Sequence, residues 1–133
     1  MSDATRKVAG SVLTAVVAAI AGIVLLPQTA VAQANSADST SASAIDAGRK
    51  IFHGDGNCLT CHGSNLEGTP IAPTLQVHAW KDAKTGDYRS IVTVVMNGVP
   101  GTAMIGHPGG ISDAEVHNVA AYVWAVSHGR TKP

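Results

Sequence analysis

The chain has 133 residues, 45% of them hydrophobic, with 9 basic and 9 acidic side chains, a formal charge of zero and a mean hydropathy of +0.16. That length holds one domain plus an additional segment, and the balanced charge excludes a basic nucleic-acid surface or a strong field that steers a highly charged partner. With 2 cysteines in all, neither a disulfide framework nor a four-cysteine metal cluster can be built.

Arg6 and Lys7 precede an uncharged apolar run from Val8 to Leu26, followed by Pro27 and the small triplet Ala30-Val31-Ala32. This is the layout of a secretory signal peptide over residues 1–32, with cleavage after Ala32. The apolar run is also close to a bilayer span, so an uncleaved anchor over residues 8–26 is the second reading. Gly10, Ser11, Thr14 and Gly22 dilute its hydrophobicity and favour cleavage. Both readings place the rest of the chain in the periplasm or otherwise outside the cytoplasm, with membrane contact only if the segment is retained. Residues 33–44 carry no large apolar side chain and read as a flexible linker. Without Asp3, Arg6 and Lys7 the remainder has seven basic and eight acidic residues.

The folded unit is expected over residues 45–133. Ile45, Gly48, Ile51 and Phe52 recur at helical spacing, Ser43 and Asp46 give a capping-type start, and Gly54-Asp55-Gly56 ends the helix. Cys58-Leu59-Thr60-Cys61-His62 follows, the spacing that attaches a c-type haem. Each thiol adds across one haem vinyl group, and the adjoining histidine then aims a ring nitrogen at the iron. The competing use of the two cysteines is thiol–disulfide exchange, which needs a thioredoxin-like βαβ frame that the chain does not display. A unit this short buries little surface alone, so a haem at its centre supplies much of the core.

Gly63 to Leu75 reads as a loop rich in glycine, proline and threonine. In Asp87 to Asn97, Tyr88, Ile91, Val92 and Val95 suit a helix by period and a strand by β-branching; helix is preferred because no second strand is available to pair with it. Gly98 to Gly110, with five glycines and two prolines, is an ordered loop able to lie flat against another group. Ser112 and Glu115 form a capping box ahead of the stripe Val116, Val119, Ala120, Val123 and Val126, and Gly129 closes this last helix.

Taken together, these segments resemble the class I monohaem cytochromes c of the small soluble bacterial type, over about residues 45–128. Two motifs carry the resemblance: Cys58-Leu59-Thr60-Cys61-His62 and Gly98-Val99-Pro100-Gly101-Thr102-Ala103-Met104. It implies an all-α fold of three to five helices wrapped around one haem c attached through Cys58 and Cys61. It also implies a crossing of the first and last helices at Gly48, Phe52 and Tyr122. Met104 matches the distal ligand opposite His62, and Pro73 is placed like the family proline whose carbonyl accepts a bond from the proximal histidine. The family usually has a proline directly after that methionine; here Ile105 follows and the proline is delayed to Pro108. His107 and Met96 compete with Met104 as distal ligands. Trp80 is the better of the two tryptophans for donating its indole N–H to a haem propionate, with plain packing as its other reading. His53, His78, His117 and His128 read as surface histidines.

The resemblance implies one-electron transfer between redox partner proteins rather than catalysis. Around the haem edge, Leu59, Thr60 and Gly101 to Ile105 are expected to form a small apolar docking patch. A ligand-binding or peroxidase-like haem module with a labile distal methionine is the alternative, as is an electron-transfer subunit of a larger oxidoreductase complex.

Overall fold

The computed structural model describes residues 39–133; the expected signal or anchor segment 1–32 and the first part of the linker lie outside the described residues. Within that range the chain forms helices α1 (Ala42–His53), α2 (Leu59–His62), α3 (Tyr88–Asn97) and α4 (Asp113–Ser127), with a 3-10 turn at Pro108–Gly110. Extended pairing among the described residues is limited to two isolated bridges, Thr69 with Ala72 and Gly98 with Ile105. The all-α expectation therefore holds, and the ambiguous 87–97 segment is a helix. Its start is fixed by Asp87, whose side chain accepts from the Ser90 N–H at 2.8 Å.

The first helix begins earlier than the sequence suggests. Residues 42–44 belong to α1 rather than to a linker, and the cap is Ser41 instead of Ser43 or Asp46. The Ser41 hydroxyl accepts from the Ala44 N–H at 3.3 Å, and its carbonyl accepts from the Ile45 N–H at 3.0 Å. Small side chains that offer no packing signal are good helix formers, so Ala42 and Ala44 extend the helix once a cap is available.

α4 packs against both α1 and α3. Its crossing with α1 is close because a Cβ on Gly48 would run into the Asn118 carbonyl and approach the Tyr122 Cβ at 2.9 Å. Phe52, one turn on, meets the Tyr122 ring edge to face at 5.6 Å, and the Arg49 guanidinium lies 4.9 Å over the same ring. The core adds Ile91 and Val95 from α3 to Val116, Val119, Val123 and Val126 from α4. Both ends of α4 are closed. Ser112 and Glu115 form the expected capping box, and Gly129, at φ 64°, ends the helix in a Schellman turn with Arg130 N–H donating to Ala125 and Gly129 N–H to Val126. His128 departs from the surface expectation: it is half-buried, stacked on Trp124 at 4.9 Å.

Candidate functional site

The α1–α4 crossing, α3 and the loops between them enclose an apolar cavity of about 380 Å³, within the roughly 300–1,000 Å³ range of cofactor sites. Phe52, Ile91, Val95, Val119 and Val123 form much of its wall. Helix α2 is a single turn whose N-cap is Cys58, and it brings Cys58, Cys61 and His62 to that cavity together. Both thiols are free and half-buried.

His62 is buried, 9% exposed, and its Nδ1 lies 3.0 Å from the Pro73 carbonyl oxygen. A carbonyl can only accept, so Nδ1 carries the proton and Nε2 keeps its lone pair for a metal. Pro73 is held in reach because the 63–75 loop folds back onto α2. Gly68 N–H donates to the His62 carbonyl and Leu75 N–H to Leu66, both at 2.8 Å. The Thr69 hydroxyl donates to the Cys61 carbonyl at 2.7 Å. Thr69 is a contributor that sequence reasoning missed, since a hydroxyl in a polar loop gives no signal of what it will bond.

Burial pushes the Cys58 thiol up to about 11, the nearby Cys61 adding to a rise that a backbone hydrogen bond partly offsets. A redox-active dithiol needs the opposite, a thiol that ionises readily. The raised Cys58 thiol and the absence of a βαβ frame among the described residues both count against thiol–disulfide exchange.

Met104 also lines the cavity, brought there by the 98–110 loop. The loop doubles back on itself: Val99 N–H donates to the Met104 carbonyl at 2.8 Å, and Met104 N–H to the Thr102 hydroxyl at 3.1 Å. Gly98, at φ 71°, permits the turn, and a Cβ there would stand 2.6 Å from the Met104 carbonyl oxygen. The two competing candidates lie elsewhere. Met96 packs against the hydrophobic core, and His107 turns its ring to Asp113; neither lines the cavity.

Trp80 lines the cavity, but its indole N–H donates to the Thr74 carbonyl at 2.7 Å. That hydrogen bond is internal to the protein, and the residue presents its apolar ring to the cavity. Val94 belongs to the wall as well. It escaped the periodic stripe of α3 because the helix faces both core and cavity. At the rim, Ile71 and Ile105 are 71% and 63% exposed. Taken as a donor set, two thiols, an imidazole with a free nitrogen and a thioether within apolar walls fit a covalently attached haem.

The cytochrome c family profile matches residues 45–127. The chain is 33% identical over 89 residues to cytochrome c6 of Gracilaria tenuistipitata var. liui, covering 67% of this chain and 79% of that protein. It is 30% identical over 127 residues, 95% of its length, to the cytochrome bc1 complex cytochrome c subunit of Mycobacterium tuberculosis, yet spans only 44% of that relative. Among solved structures, cytochrome c6 of the diatom Phaeodactylum tricornutum aligns with a TM-score of 0.54 at 32% identity, covering 64% of this chain and 95% of the other. The chain thus belongs to the cytochrome c family, as a small class I c-type cytochrome.

Proposed function

We propose that this cytochrome carries single electrons in an extracytoplasmic redox chain, with one haem c joined to Cys58 and Cys61 and its iron held by His62 and Met104. The observation that carries this reading is the meeting of both thiols, His62 and Met104 in one apolar cavity, with Pro73 leaving the His62 Nε2 free. When bound, the haem supplies the chemistry, its iron alternating between ferric and ferrous states. The bond from His62 to Pro73 fixes the ring plane and raises the basicity of the free nitrogen. Met104 offers a soft, neutral donor that favours ferrous iron and raises the potential. Phe52, Ile91, Val95, Val119 and Val123 exclude water and resist rearrangement, which keeps the structural change on reduction small. Ile71 and Ile105 at the rim suit weak, brief contact with donor and acceptor proteins. Residues 1–32 serve as the export signal, leaving the haem domain in the periplasm.

A second reading, an electron-transfer subunit anchored beside a membrane complex, is favoured by one observation. The match to the mycobacterial bc1 subunit covers 95% of the chain and so takes in the apolar run 8–26, which the 67% covered by the cytochrome c6 match need not include. Membrane fractionation of the native host separates the two, since a cleaved carrier is found in the soluble extracytoplasmic fraction. No helix among the described residues is long and apolar enough to cross a membrane.

Carbon monoxide added to the ferrous protein during a redox titration tests the carrier reading. A single one-electron transition and an almost unchanged spectrum are expected. Prompt carbon monoxide binding would instead indicate a vacated distal position and the ligand-binding alternative.

A further inference from the structure

The 98–110 loop leaves the cavity through His107, and three contacts converge on that residue. Its N–H donates to the Val95 carbonyl on α3 at 2.9 Å, and its carbonyl accepts from the Gly110 N–H at 2.9 Å. Its ring Nε2 lies 2.8 Å from Asp113 Oδ1, at the first residue of α4. An ionised carboxylate only accepts, so Nε2 bears the hydrogen and donates. His107 is also left-handed, at φ 47° and ψ 58°, a conformation that a side-chain-bearing residue keeps only where its surroundings impose it. The glycines beside it leave no slack. A Cβ on Gly106 would press 2.5 Å from the Met96 carbonyl oxygen, and one on Gly109 would strike the Asp55 carbonyl.

The loop's exit is therefore wedged by its backbone against α3 and the 54–56 turn, and the His107–Asp113 bond ties it to α4 through side chains. We propose that His107 is a positioning residue: through Asp113 it ties the Met104 loop to the start of α4 and limits how readily the distal ligand leaves. This rests on Met104 as that ligand. His107 itself does not line the cavity, so it acts on the ligand through Ile105 and Gly106, the two residues of chain between them.

The test is an imidazole titration of the ferric holoprotein, followed by the near-infrared iron–thioether band, in wild type, His107→Ala, Asp113→Ala and the double variant. Each single variant should bind imidazole about two- to fivefold more tightly, the scale of a solvent-exposed polar pair. The double variant should bind no more tightly than either single one, because both remove the same tie. Asp113→Ala leaves the loop sequence intact and so reports even if His107→Ala fails to mature. Unchanged affinity in Asp113→Ala, or effects that add in the double variant, would overturn the tether while leaving Met104 ligation standing. A wild-type protein without the iron–thioether band would remove the ligation and the tether together.

Discussion

Nδ1 of His62 lies 3.0 Å from the carbonyl oxygen of Pro73, eleven residues downstream, and this pair sets which ring nitrogen faces the cavity. The acceptor is backbone, so it cannot be deleted by substitution, but it can be loosened. Pro73→Ala frees the restricted backbone torsion and weakens the bond by about 0.5–1 kcal/mol. A less basic imidazole stabilises ferric iron less, so the potential should rise by about 20–40 mV, taking 59 mV per tenfold for one electron. Protein-film voltammetry of the two proteins measures this directly; a fall in potential would contradict the assigned direction.

The Gly48 contact with Asn118 and Tyr122 makes a structural prediction. Gly48→Ala adds one methyl where the α1–α4 crossing has no room, which should destabilise the holoprotein by about 1–3 kcal/mol despite the better helix propensity of alanine. Denaturant unfolding followed by haem absorbance measures the change. Equal or greater stability would mean that the two helices can separate without penalty.

Acid should loosen the two capped helices. The Thr85 hydroxyl, and then the Ser90 N–H, hold the Asp87 carboxyl below its ordinary 3.8, while the Ser112 N–H and hydroxyl hold Glu115 below 4.5. Both folded values are depressed, so the stabilisation is present above the ordinary values and is lost as pH falls through the lower folded ones. The expected loss lies below about pH 4.5. Glu115→Gln should flatten that acid limb by lowering stability between pH 6 and 8 towards its acid value, a loss on the small scale of a surface substitution. An acid limb as steep as that of wild type would show that other carboxylates dominate.

The local signals in the sequence were strong where chemistry or a cap sits in a short window. Cys58, Cys61 and His62 are read from one five-residue motif, and the start of α4 from Ser112 and Glu115. The α1–α4 crossing followed from Gly48, Phe52 and Tyr122 through the family resemblance, and the structure brings these three together. What escaped depends on which atom a loop residue turns towards. Trp80 N–H reaches Thr74, Thr69 reaches Cys61, and His107 turns from the cavity to Asp113; composition contains none of these choices. The start of α1 was misplaced for a simpler reason, since Ala42 and Ala44 carry no periodic signal and the effective cap, Ser41, sits among other serines.

Ligation of one haem by His62 and Met104 is tested most directly by the near-infrared spectrum of the ferric protein in wild type and in Met104→Ala, Met96→Ala and His107→Ala. The iron–thioether band should be present in wild type, persist in the Met96 and His107 variants, and vanish only in Met104→Ala, with a lowered potential. A band that survives Met104→Ala, or disappears with Met96→Ala, would move the sulfur ligand to another residue and contradict the account.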